Sequence, residues 1–585
     1  MPGAPRADML KPIVHMKSTS DAGSARTGVS LIAGRSGSEP RADGSRPALA
    51  FTVTSPSTGR ELESKYFCAT KENVDQACEQ AWEAFYAMRS ASPLDRAQLL
   101  DRIGQRLADL GDELVQTAAA ETGFSPVRLV AERERCAANC AQLAEVVRSG
   151  AWSRPSIDQG EAARRPIPKP DLRRMLRPVG PVAVMGSASS PLLTGPAGSD
   201  AMSALAAGCP VVYKAHPQLP GTTLMIAKMI ASAIDVFGPH PGCFSTLLAG
   251  GSKAHTVAVE LVRNECIRAV GFTGTRAVGD QIVRLGQTRD DPIPVFALMG
   301  GINPVFVLPG AVESSGATIA ERLFLSISNA TGQSCVRPGL IFMARGGEME
   351  ALVRSLADAM NRLDPQVMVS KEIRDRYIAR FEQIAQLSGV ELRGGSPQGG
   401  HRSSAYSGAS EAMPVCASPG LFRTTFTMFQ QHATLHEEVF GPSAILVITD
   451  TSEQLTNAAS SIQGCLTASI WCHASDEPLA ARLSTILDVR AGRVVFNGVA
   501  TGLELCPSLV HGGPYPASSQ PFGTAAGPDS ILRWARPTCY QNAPTPMLPQ
   551  ELRDANPLGV TRELDGRPSS SAISRKRPSN ITRAA

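Results

Sequence analysis

Four short apolar segments dominate the first half of this chain: Pro181–Gly186, Cys209–Lys214, Cys243–Leu248 and Ala269–Thr273. Each is apolar at successive positions, so both faces need cover. Helical stretches alternate with them, as from Thr222 to Phe237. That alternation builds a parallel sheet with helices on both sides. A second block of this kind runs from Ala297 to about Leu505, with Pro304–Leu308 and Ser443–Ile448 as strands. The fold class implied is α/β, with two doubly wound parallel-sheet domains. Ligands of such sheets bind at the carboxyl ends of strands, where Lys214, Thr273 and Thr275 stand.

Helical spacing governs Lys71 to Gly150, where Ala77, Cys78, Ala81, Phe85 and Met88 form one core face and Leu99, Ile103, Leu107 and Leu110 another. Pro166 to Pro170 connects to the first sheet, and residues 507–557 are proline-rich and irregular. Residues 1–30 and 566–585, rich in Gly, Ser, Arg and Pro, read as a disordered extension and tail. Asp8 and Asp21 argue against a transit peptide. A net charge of +4 over 585 residues gives no basis for a nucleic-acid or membrane-surface partner. No run approaches 18 consecutive apolar residues, so no membrane-spanning helix is expected. Thirteen cysteines without metal-ligand spacing fit a reducing cytoplasm and imply no metal.

One of those cysteines stands apart. Cys335 sits in Thr331-Gly332-Gln333-Ser334-Cys335-Val336-Arg337-Pro338-Gly339, between a helix-like run and the apolar Leu340–Met343. Small neighbours leave a thiolate open to a carbonyl carbon, and thiolates are strong nucleophiles near neutral pH. A cysteine chosen at random is more often a small buried hydrophobe, so its company matters. Gly271 to Gly279 leaves a strand and enters a helix through small residues, which lets backbone approach a pyrophosphate at a helix N-terminus.

Gly332-Gln333-Ser334-Cys335, Glu437-Glu438-Val439-Phe440-Gly441-Pro442 and Gly271–Gly279 together resemble the nucleophile, E-x-F-G-P and cofactor-turn motifs of the aldehyde dehydrogenase superfamily. Lys214-Ala215-His216-Pro217, Ile302–Phe306, Val510–Pro516 and Asn556-Pro557-Leu558-Gly559 are similar to the 2,5-dioxopentanoate (α-ketoglutarate semialdehyde) dehydrogenases. The resemblance spans about Leu31 to Gly566. It implies an NAD(P)-binding domain over 31–296, a catalytic domain over 297–505, and an oligomerisation and return segment over 506–565. A homodimer or homotetramer and a small aldehyde substrate are implied in the same way. So are the site residues: Cys335 with Gln333 in the nucleophile motif, and Lys214, Gly271, Thr273, Gly274, Thr275, Gly279, Glu438 and Phe440 toward NADP or NAD. Many NAD-preferring relatives carry a glutamate where His216 stands; without that carboxylate a 2′-phosphate meets less repulsion, so NADP is expected to bind at least as well.

Two positions depart from the family pattern. Ser189, in Gly186–Pro191, stands where relatives place an oxyanion-binding asparagine, a donor worth about 10²–10³ in rate. Leu298 stands where relatives place the glutamate that activates water, a base worth about 10²–10⁴. Three activities are compatible: a slowed aldehyde dehydrogenase, a catalytically silent cofactor-binding or assembly protein, or an acyl transferase passing the acyl group to a thiol such as coenzyme A. Arg337 reads either as a structural arginine, the commoner case, or as a cation for the far end of a dicarboxylate-like substrate.

Overall fold

The computed structural model describes residues 27–37, 49–395, 413–500 and 502–573. Helices Lys71–Ser90 and Pro93–Asp109 begin at capping boxes built by Thr70 and Ser92. Gly123 and Gly150, at φ 71° and 65°, end Gly111–Thr122 and Pro126–Ser149, conformations that glycine adopts without strain.

The first sheet runs Val295–Leu298, Ala269–Thr273, Val182–Met185, Val211–Lys214 and Phe244–Leu247 side by side, all parallel. Leu31–Ile32 and Arg35–Ser36 extend it antiparallel. Successive residues serve opposite cores: Val182 and Val184 pack in one, Ala183 and Met185 in the other. Chain order reverses between Val182–Met185 and Ala269–Thr273, so a ligand crevice opens at the carboxyl ends of those strands. Helix Pro220–Phe237 is long and apolar enough to cross a membrane by composition, but it is 61% buried within this core.

The second sheet orders Gly420–Thr425, Ser443–Thr449, Leu340–Ala344, Val305–Val307, Cys465–Trp471 and Ala491–Phe496 in parallel, with Val390–Gly395 antiparallel at one edge. A small third sheet joins Ala535–Gln541, Leu172–Pro178, Ser156–Asp158, Arg562–Leu564 and Arg567–Ser569. Three domain boundaries move. The boundary at 297 cuts a strand, because Ala297 and Leu298 pair with Phe272 and Thr273 of the first sheet. The boundary at 30 falls after Thr27–Gly28, which pairs with Lys65–Tyr66; residues 1–26 lie outside the described residues. The tail is ordered past 566, since Arg567–Ser569 pairs with Arg562–Leu564; residues 574–585 lie outside. Of the loop read at His401–Pro419, residues 401–412 lie outside, and Cys416–Ala417 pairs with Gln366–Val367. Residues 506–541 return to the first domain, where Trp534 donates to the Ser203 hydroxyl at 2.8 Å and Arg533 pairs with Asp200 at 2.6 Å.

Candidate active site

After helix Pro309–Ser328 the backbone turns left-handed at three consecutive residues, Ala330, Thr331 and Gly332, with φ of 55°, 56° and 65°. Non-glycine residues hold that conformation only under strain, and here it aims the loop that carries Cys335. Gly332 admits no side chain, because a Cβ would stand 2.1 Å from the carbonyl oxygen of Gly441. The nucleophile loop therefore rests directly on the loop that carries Glu438. Gln333 is fully buried; its amide nitrogen donates to the Ala330 carbonyl at 3.0 Å and its oxygen accepts from the Val369 N–H at 3.0 Å. With both ends engaged, Gln333 positions the loop, which corrects its grouping with the reacting residues.

Asn303 closes the other side. Its amide nitrogen donates to the carbonyls of Gly301, Cys335 and Arg337 at 2.9, 2.8 and 3.1 Å, and its oxygen accepts from the Thr467 N–H at 3.2 Å. Arg337 is 1% exposed and donates to the carbonyls of Pro338, Val439 and Ser443. It stitches the Cys335 and Glu438 loops together, so the structural reading holds and it is not free for a substrate.

Cys335 lies against Leu298, Val336, Leu466, Ala500 and Ala517, so Leu298 shares the cluster of the cysteine. His511 enters from the return segment and places Nε2 3.8 Å from the Cys335 Sγ. Its backbone N–H is fixed on the Thr524 hydroxyl at 2.9 Å. Burial pushes the thiol up to about 12, with the Glu438 carboxylate adding to the rise and Arg493 opposing it. Burial also lowers His511 to about 4, helped by Arg493 and Arg533, so its ring is neutral and able to accept a proton. Glu438 is raised to about 7 by burial, against the pull of Arg337. It lies beside Gly300, where a Cβ would meet its Oε2 at 3.3 Å.

The predicted cofactor residues from Lys214 to Gly279 lie along the first sheet and the helix after it, whereas Glu438 and Phe440 lie on the loop before Ser443–Thr449 of the second. Lys214 is buried, donates to the Ala215 carbonyl at 3.2 Å, and is lowered to about 8 by burial. His216 accepts from the Gln218 N–H at 3.2 Å through Nδ1 and is lowered to about 3, first by burial and then by Lys214. Thr273 pairs with Leu298, and the Gly274 N–H donates to the Leu298 carbonyl at 3.1 Å, so the turn and Leu298 share one strand end. Gly271 lets the sheet lie under Trp534, whose ring a Cβ would meet at 3.0 Å, and Gly279 packs on Met299. Phe440 is partly exposed and outside the buried clusters of its domain.

Whether a dinucleotide fits is decided at two helix N-termini. That of Pro220–Phe237 is already filled by the Glu121 carboxylate, which accepts from the N–H groups of Gly221 and Thr222 at 2.7 and 3.0 Å. That of Arg276–Gln287 has no side-chain cap and no acidic residue in its first turn, and Thr275, Arg276 and Ala277 are exposed. The second terminus suits a pyrophosphate.

Ser189 lies in the loop after Val182–Met185, at the switch point. Its hydroxyl shares a 2.9 Å hydrogen bond with Ser187 and its carbonyl accepts from Arg128. The neighbouring Ala188 packs with Val369, the residue that holds Gln333, so this loop adjoins the nucleophile loop. Sequence reasoning missed His511, Arg493 and Asn303 as site residues. His511 and Asn303 sat inside quoted motifs, and a lone histidine before two glycines was the available signal.

A sequence profile described as the aldehyde dehydrogenase family matches residues 44–513. The chain is 36% identical over 515 residues to alpha-ketoglutaric semialdehyde dehydrogenase 2 of Azospirillum brasilense, covering 88% of this chain and 95% of that protein. It is 36% identical over 499 residues to the alpha-ketoglutaric semialdehyde dehydrogenase of Acinetobacter baylyi, covering 85% and 92%. Among solved structures, the fold is similar to betaine aldehyde dehydrogenase of Staphylococcus aureus in complex with NAD+, with a TM-score of 0.72 at 17% identity over 88% of this chain and 95% of that one. Methylmalonate-semialdehyde dehydrogenase of Oceanimonas doudoroffii gives 0.71 at 19% identity over 88% and 98%.

Proposed function

The chain belongs to the aldehyde dehydrogenase family, an NAD(P)-dependent one, and from that premise we propose that it oxidises 2,5-dioxopentanoate to 2-oxoglutarate with Cys335 as nucleophile and His511 as base. The 3.8 Å approach of His511 to the thiol carries this reading, since the leucine at position 298 leaves the family's own base position without a proton acceptor. The substrate follows from the two relatives that share 36% identity and carry that activity in their names.

The Cys335 sulfur attacks the aldehyde carbon while its proton passes to His511. The Cys335 backbone N–H and the Ser189 hydroxyl stabilise the oxyanion, the serine through a water because its side chain is short. A bound NAD(P) would supply the hydride acceptor that converts the Cys335 adduct into an acyl thioester. His511 releases that proton to solvent, then takes one from the incoming water and returns it to the departing Cys335 sulfur, so hydrolysis frees the acid and restores the thiol. The net reaction consumes aldehyde, water and NAD(P)+ and yields acid, NAD(P)H and a proton. Lys214, Gly271, Thr273, Gly274, Thr275, Gly279, Glu438 and Phe440 would hold the dinucleotide. His216 favours NADP, because no carboxylate of its own repels a 2′-phosphate.

An imidazole held near 4 is a weak base, and Leu298 keeps its surroundings dry, so hydrolysis is the slow step in this reading. The small third sheet, whose outer strand Ala535–Gln541 pairs on one side only within the chain, serves as the contact of a homodimer or homotetramer in the cytoplasm. Measuring reduced cofactor formed from 2,5-dioxopentanoate and from simple aldehydes, with NAD and with NADP, tests the reading. Absence of turnover with every pair would favour the silent-member alternative.

A further inference from the structure

We propose that Arg493 binds the carboxylate end of the substrate, an assignment that rests on the dicarboxylate-semialdehyde reading above. Arg493 lies on strand Ala491–Phe496, with Thr467 as its cross-strand neighbour. Side chains two positions apart share a face of a sheet. Val495, two residues on, packs in the Cys335 cluster, whereas Val494 packs in the core on the opposite face. The guanidinium therefore projects on the nucleophile's side. Gly492 beside it lies under the His511 loop, since a Cβ there would meet the Gly512 carbonyl oxygen at 2.0 Å.

The Nε and Nη2 of Arg493 are enclosed and have no hydrogen-bond partner among the described residues. This separates it from Arg337, which is held by three carbonyls, and from Arg533, which pairs with Asp200. Burial depresses its pKa, and among the described residues the Cys335 thiol, not a carboxylate, acts to raise it. A half-buried cation with enclosed, unpartnered donors is costly, and a planar fork of free N–H donors matches a carboxylate in two-point geometry. An aldehyde seated on Cys335 with an anionic far end supplies that counter-ion. An uncharged aldehyde leaves it unmet, so the same group would discriminate between substrate classes.

Arg493→Gln and Arg493→Lys, compared with the unaltered protein on 2,5-dioxopentanoate and on pentanal, test this. The ratio of kcat/KM for the charged over the uncharged aldehyde should fall about 10- to 100-fold in Arg493→Gln, mainly through KM, with partial recovery in Arg493→Lys. An equal loss on both aldehydes, with a matching shift in the pH profile of Cys335 alkylation, would mean that Arg493 acts on the thiol and would overturn the assignment. Binding of 2-oxoglutarate to the protein, followed by calorimetry, separates this from failure of the functional reading. Even if 2,5-dioxopentanoate is not turned over, the assignment requires that 2-oxoglutarate bind and that Arg493→Gln and Arg493→Lys weaken it. No binding to the unaltered protein would sink it.

Discussion

His511 and Cys335 are 176 residues apart in sequence, and their side chains meet at 3.8 Å. With the thiol pushed to about 12 and the imidazole lowered to about 4, both are neutral at pH 7. The resting pair is a hydrogen-bond contact rather than a thiolate–imidazolium ion pair. Proton transfer belongs to the reaction itself.

The thiol should accordingly be slow to alkylate. Its rate with iodoacetamide should climb about tenfold per pH unit beyond pH 9, where an ordinary thiol levels off. Glu438→Gln removes a charge that raises the thiol pKa, so it should speed alkylation at pH 8. A profile levelling near pH 9 would contradict the buried-thiol assignment. Cys335→Ala should abolish turnover and leave cofactor binding intact.

His511→Asn should lower steady turnover by about 10²–10⁴. Loss of the base should also steepen the dependence on alkaline pH. If turnover is unchanged, another group moves the proton.

Slow hydrolysis predicts a stopped-flow burst of reduced cofactor followed by slow turnover. Leu298→Glu should raise the steady rate by roughly 10²-fold, and Ser189→Asn should raise the burst rate instead. Leu298 is 7% exposed in an apolar cluster, so the glutamate should also lower Tm. No burst and no gain from either change would point to a catalytically silent protein.

NADP should bind at least as tightly as NAD in calorimetric titrations, and Lys214→Ala should weaken both. A clear preference for NAD would remove His216 from cofactor selection.

Acid should act through the buried histidines. His511 and His216 are held near 4 and 3, below the ordinary 6.5, so the unfolded chain binds protons first as pH falls. Their stabilisation is complete above about 6.5 and is lost as pH drops through the folded values. Glu121 and Glu438, raised to about 7, act with the opposite sign: they favour the folded state below about 4.5, an advantage lost as pH rises through 7. Comparing Tm from pH 7 to 4 isolates one contribution, because His511→Asn should lose less Tm over that range than the unaltered protein.

The sheets were legible because their strands are short apolar runs, and Ala269–Thr273 begins and ends where its pattern does. The loop around Cys335 and the strand-to-helix turn from Gly271 to Gly279 were legible as local structure, because small residues in order leave few alternatives. Arg337 could not be read, since an arginine near a nucleophile looks the same in sequence whether carbonyls or substrate hold it. His511 and Arg493 reach the thiol from segments more than 150 residues away, and no local pattern reports that closeness. The boundary at 297 failed for a related reason: register with Phe272 and Thr273, not composition, assigns Ala297 and Leu298 to the first sheet.

The return of residues 506–541 to the first domain also sets an order of assembly. Residues 305–496 form their sheet from one continuous stretch and can fold as a unit while the chain is being made. The first domain must wait for Trp534 and Ala535–Gln541, and Cys335 must wait for His511. A ribosome-bound chain shorter than this carries the nucleophile without its partner, so reactivity arrives only with the closing segment.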